Sequence, residues 1–181
     1  SNVKFGIGVA FILCVWAYLS LQAGNGVGAL FVVIAGVIGA YLALNIGAND
    51  VANNVGPAVG SAALSMTGAL VIAAVFEASG AILAGSDVVS TIRKGIIDPG
   101  EMTSPAVFTW AMMAALLAAA LWINLATWVG APVSTTHSIV GGVMGAGIAA
   151  AGWSAVNWLT MSKIAVSWVV SPVLGGLIAA I

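Results

Sequence analysis

The sequence predicts an all-α polytopic membrane protein, a helical bundle in which two of the helices are broken. Three observations lead there. Of 181 residues, 62% are hydrophobic and only 5% are charged, with a mean hydropathy of +1.18, far from the composition of water-soluble domains. Several apolar runs reach or approach the ~20 residues that a spanning helix needs, and they lack the period-two alternation of a membrane β-barrel. Inside those runs stand two polar interruptions, one around Asn49 and one around Ser134.

Taken in order, residues 5–21 form a first span. Lys4 precedes it as in a secretion signal, but no small-residue cleavage site separates it from the next apolar run. Cys14 lies within it and is the chain's lone cysteine, so no intramolecular disulfide can form. After the turn-like residues 23–26, a second run extends from 27 to about 46, where Gly47 interrupts it. A shorter helical piece follows from Val51, weakened by Gly56, Pro57 and Gly60. Residues 68–85 make the next span, with Glu77 near its middle. Residues 86–104 read as a polar loop carrying Asp87, Arg93, Lys94, Asp98 and Glu101.

Residues 105–129 form a further long helix. It meets the second interruption, residues 130–138, and a small-residue half-helix from 139 to about 151 follows. After a loop over 152–161, residues 164–181 make a last span, and residues 1–181 together read as a single transmembrane domain. Trp110, Trp153 and Trp158 lie near span ends, as in an interfacial belt, whereas Trp16, Trp122, Trp128 and Trp168 lie deeper and read as packing residues. Lys4 and the Arg93-Lys94 pair fall on opposite sides if three spans separate them, so the positive-inside rule favours a cytoplasmic Arg93 loop only slightly.

The two interruptions share a plan: an apolar helix, then Gly-Ala, then a polar cluster, then a glycine-rich helix. Paired broken segments of this kind point to a transporter's binding site near the midplane. Asp50 is costly at membrane depth unless paired, protonated or hydrated. Asn53 and Asn54 stand three and four residues on, sharing its helical face. Carboxylate, carboxamide and freed carbonyl oxygens are hard ligands for an alkali cation; as structure alone, Asp50 would cap the half-helix and the asparagines would satisfy broken backbone.

In the second break, Ser134, Thr135, Thr136 and Ser138 offer hydroxyls at a helix start, where free N–H groups and the dipole favour an oxyanion. Their structural reading is capping and helix–helix hydrogen bonding. His137 beside them is a proton relay, an anion donor or a satisfied bundle histidine. Glu77 is a second cation or proton site, or a protonated acid bonded to a neighbouring helix. An oxyanion near Asp50 is repelled until Na⁺ or H⁺ neutralises that carboxylate, and this is the logic of symport. Four Lys and Arg residues with a net charge of −1 exclude a nucleic-acid surface.

These residues resemble the signature of the inorganic phosphate transporter (PiT) family, whose members carry a G-x-N-D-x-A-N element and a P-x-S-T-T-H-like element in each half. Here they stand as Gly47-Ala48-Asn49-Asp50-Val51-Ala52-Asn53 and Pro132-Val133-Ser134-Thr135-Thr136-His137. Phe76-Glu77 and the stretch from Thr91 to Pro99 are similar to the first half of bacterial-type members. The resemblance covers about residues 36–147.

It implies secondary transport of inorganic phosphate with Na⁺ or H⁺, or as a metal–phosphate complex in some bacterial members, across a bacterial inner (plasma) membrane. No resident cofactor or metal is expected. It further implies a cation site at Asn49, Asp50 and Asn53, with Glu77 associated with transport, and a phosphate site at Ser134, Thr135 and Thr136, which Ser138 extends. The family builds its site from two inverted repeats. This chain holds each motif once, so it reads as the N-terminal half of a longer protein, and otherwise a second copy must pair with it in opposite orientation.

Sulfate or another oxyanion fits the same donors, and a passive anion channel differs only in lacking coupling. A hydrolase is disfavoured: Ser134 and His137 are three apart on one half-helix with no nucleophile elbow, and Asp50 has no carboxylate partner for a dyad. A scaffold with vestigial polar breaks is the third class.

Overall fold

The computed structural model describes residues 2–181. Six α-helices follow one another: α1 Asn2–Gln22, α2 Val27–Gly60, α3 Met66–Ser90, α4 Pro105–Trp128, α5 Thr135–Ala151 and α6 Trp158–Ala179. All except α5 are long and apolar enough to cross a membrane, and the chain is an integral membrane protein. At 17 residues, α5 is roughly 25 Å long, short of a full hydrocarbon core.

Four helices begin where a small polar residue can satisfy an otherwise unpartnered backbone N–H. Ser65 accepts from Gly68 N at 3.1 Å, Ser104 from Val107 N at 3.3 Å, Ser134 from His137 N at 3.2 Å and Asn157 from Thr160 N at 3.0 Å. Pro105 sits in the first turn of α4, where its missing N–H costs nothing.

The break expected at Gly47 is absent, for α2 runs uninterrupted from Val27 to Gly60. Glycine inside a helix costs only about 1 kcal/mol, and packing of α2 on α4 outweighs it. Proline bears on the ends of α2 and α4. Pro57 lies in the last turn of α2, which ends at Gly60, whereas Pro132 keeps Ala131 out of the helical region and forces the real break between α4 and α5. At some 50 Å, α2 exceeds the ~30 Å hydrocarbon thickness.

The loop expected over 86–104 also begins later. No Gly or Pro stands between Gly85 and Gly95, so α3 continues to Ser90 and a π-helical turn, Thr91–Gly95, extends it. Ile96 and Ile97 behind that turn are fully buried. They pair with the α5–α6 connection: Asp98 N donates to Ala155 O and Asn157 N to Ile96 O, each at 2.9 Å.

α4 is the central element, packing α2 on one side and α5 on the other. Its buried residues include Ala111, Ala115, Ala119, Ala120 and Ala126, and these small side chains let neighbouring backbones approach. One such approach is at Gly142 of α5, where a Cβ would lie 2.8 Å from the Ala115 carbonyl oxygen. Three of the tryptophans read as packing residues are instead exposed: Trp16, Trp122 and Trp128. Their place within apolar runs does not set the face on which they project. Trp168 is partly buried against the core.

Gly142→Ala is expected to cost about 1–3 kcal/mol, because a backbone carbonyl cannot yield as a side chain can. Gly141→Ala, with nothing within 4 Å of its Cβ, is expected to be neutral or slightly stabilising. Thermal denaturation of the two variants in detergent checks this difference.

Candidate cation and oxyanion site

The break between α4 and α5 is built by glycine, proline and a capping serine. Gly130 takes φ +72°. Its N–H donates to Thr127 O at 3.2 Å and that of Ala131 to Ala126 O at 2.8 Å, a Schellman stop. Ser134 then caps α5. Between these ends the backbone must find partners, because no water is available in hydrocarbon.

Asn49 of α2 supplies them. Its Nδ2 donates to Thr127 Oγ1 at 3.1 Å and, at a longer 3.5 Å, to Ala131 O; its Oδ1 accepts from Val133 N at 3.5 Å and from Asn53 Nδ2 at 3.1 Å. One buried carboxamide thus bridges the backbone on both sides of Pro132. One turn earlier, Asn45 accepts from Asn124 Nδ2 at 2.8 Å and donates to Tyr41 O at 2.8 Å. Asn45 and Asn49 are 5% and 6% exposed, so burial gives each lost bond its full cost. Asn45, Asn124 and Thr127 were not singled out in the sequence. Their spacing could have found them: Asn45 stands one turn before Asn49, and Asn124 and Thr127 are three apart on an otherwise apolar helix.

Asp50, half-buried, faces α5. Thr135 Oγ1 donates to Asp50 Oδ2 at 2.7 Å. Thr135 is itself buried. Pro57 has no N–H, so the Asn53 carbonyl lacks its helical donor, and it lies one turn from Asp50. Asp50 and Asn53 stand three residues apart on α2, and both carry hard oxygens. Asn53 and Asn54 are exposed. Glu77 is exposed on α3 and makes no hydrogen bond, to Asp50 or otherwise, among the described residues.

The hydroxyls of the second motif divide. Thr135 turns to Asp50, whereas Ser134, Thr136 and His137 line a cavity of about 670 Å³ between α5, α6 and the end of α3, with Asp87 and Ser171 also on its wall. A second cavity of about 380 Å³ shares Ser134 and His137 with it and adds Ser138 and Trp122. His137 Nδ1 pairs with Ser134 Oγ, and its ring stacks on Trp168 with centroids 3.7 Å apart. Ser138 Oγ donates to Ser134 O at 2.8 Å. The cap leaves the first N–H groups of α5 outside the helical ladder, so a helix start, hydroxyls and an imidazole border adjoining cavities, the larger of which also carries the Asp87 carboxylate. Among the described residues no group of His, Cys, Asp and Glu side chains is placed to hold a metal ion.

The model of the "Phosphate transporter family" matches residues 46–181, which include all of these groups except Asn45 and Tyr41. The chain belongs to the phosphate transporter family. Within it, the chain is 55% identical to a Helicobacter pylori protein provisionally named a phosphate permease, over 99% of this chain and 34% of that protein. A Mycobacterium bovis protein with the same provisional name is 47% identical over 94% of this chain and 32% of its own length. A solved structure titled "The sodium-dependent phosphate transporter" superposes with a TM-score of 0.77 at 49% identity, over 82% of this chain and 37% of that one. The chain thus spans about a third of the family members it matches.

Removing the Asn49 carboxamide leaves buried backbone groups at the break unpartnered. Asn49→Ala is expected to destabilise by about 2–3 kcal/mol, against under 1 kcal/mol for exposed Asn53→Ala. Denaturation midpoints in detergent measure the gap, and equal losses would show that Asn49 does not hold the break.

Proposed function

We propose that this chain supplies the cation and oxyanion sites of a transporter that carries inorganic phosphate across a bacterial inner membrane by symport with Na⁺. The observation that carries this reading is the bond from Thr135 Oγ1 to Asp50 Oδ2. It ties a carboxylate on α2 to the first turn of α5, whose other face opens on the hydroxyl-lined cavity.

Asp50, Asn53 and Asn49 serve the cation. The first two offer free oxygens, and Asn49 holds the break that shapes the site. Ser134, Thr136 and Ser138 serve the phosphate with the free amides of α5, and His137 relays a proton or donates to the anion. Thr135 belongs to both sets, since it touches the carboxylate while standing at the head of the anion-binding helix. A bare carboxylate there repels an approaching phosphate, and a bound cation removes the repulsion, so each ion favours the other by the same factor. Family membership supports phosphate as the cargo, and the name of the solved relative supports Na⁺. Glu77 serves as a second cation or proton site. No resident cofactor is required, because the work is done by the ion gradient.

The test is uptake of radiolabelled phosphate into liposomes holding the full-length protein, with Na⁺ and H⁺ gradients imposed separately. Uptake is expected to follow the Na⁺ gradient, and Asp50→Asn is expected to reduce it to background. Uptake driven by H⁺ alone would replace the ion, and flux indifferent to both gradients would make the protein a channel. Retained Na⁺-driven uptake in Asp50→Asn would remove Asp50 from its role.

A further inference from the structure

The cavity at the start of α5 has a wall that neither sequence motif supplies. It comes from α6, through Ile164, Ser167, Trp168, Ser171 and Pro172. Five hydroxyls line the cavity, and three are engaged within the protein. Thr91 Oγ1 donates to Asp87 O at 3.0 Å, Ser167 Oγ to Ile164 O at 2.7 Å, and Ser134 Oγ is occupied by the His137 amide and ring. Thr136 and Ser171 make no hydrogen bond among the described residues.

Both side chains are exposed, so each keeps a proton free for whatever enters the cavity. Ser79, Thr109, Thr127, Ser162 and Ser167 all return their protons to a carbonyl three or four residues back, the usual way to satisfy such a group in an apolar helix. The residue after Ser171 is Pro172, inside α6. Proline leaves the Trp168 carbonyl without its helical donor, and Trp168 and Pro172 both line the cavity. Trp168 also fixes the plane of His137 by stacking on it.

We propose that α6 forms the far wall of the oxyanion cavity and that the Ser171 hydroxyl donates to the bound anion across from Thr136. This rests on the reading of the cavity as a phosphate site. Ser171 adds a donor from outside the signature stretches, without adding charge, so the anion can still leave.

The experiment is Na⁺-driven phosphate uptake by the full-length protein in liposomes, with Ser171→Ala, Ser171→Thr and Thr136→Ala. Ser171→Ala is expected to raise the phosphate KM about tenfold with the maximal rate held within twofold, as for loss of one hydrogen bond to a charged ligand. Ser171→Thr, which keeps the hydroxyl, is expected to restore the KM, a rescue that a mere packing role would not give. An unchanged KM in Ser171→Ala while Thr136→Ala raises it would overturn the assignment and leave the cavity a phosphate site. An unchanged KM in both variants would overturn the cavity reading and the assignment with it.

Discussion

A broken helix inside a membrane exposes backbone groups that only the protein can satisfy, and in this chain one carboxamide does so. Asn49 holds the α4–α5 break by bonding on both sides of Pro132. The rest of the site depends on that clasp. Because Asn49 is fixed against the break, the next residue, Asp50, is carried to the first turn of α5, where Thr135 meets it. The short α5 can then present its free amides and hydroxyls to a cavity instead of to lipid.

The arrangement separates two tasks within one run of hydroxyls. Successive positions on a helix start point about 100° apart, so Thr135 turns toward the carboxylate while Ser134, Thr136 and His137 line the cavity wall. The carboxylate and the cavity-lining hydroxyls are therefore neighbours on different sides of one helix start. The glycine-rich body of α5 makes this possible, because Gly142 lets the half-helix lie against the Ala115 backbone. A bulkier α5 would stand off α4 and carry Thr135 away from Asp50.

Much of this was legible in the sequence. Composition and run length identify the membrane bundle, and the polar clusters at Asn49–Asn54 and Ser134–Ser138 mark where α2 meets the α4–α5 break. The break at Gly130-Ala131-Pro132 was readable because glycine and proline both act locally on the backbone. The break expected at Gly47 was not there, since Gly47-Ala48 resembles the other interruption only in composition. No proline follows it closely, and contacts with α4 carry the helix through. What could not be read was pairing between distant segments: Asn45 with Asn124, Asn49 with Thr127, and the stacking of His137 on Trp168. Which hydroxyl turns to which side follows from the docking of α2, α5 and α6, and no local pattern encodes it.

The most direct measurement of the central claim is the Na⁺ dependence of phosphate affinity, by equilibrium binding to the detergent-solubilised full-length protein, for the wild type and Thr135→Val. If the Thr135–Asp50 bond couples the two sites, Na⁺ tightens phosphate binding in the wild type, and most of that factor disappears in the variant. Coupling energies of 1–3 kcal/mol correspond to about 5- to 150-fold. A Thr135→Val protein in which Na⁺ strengthens phosphate binding by the full wild-type factor would contradict the account.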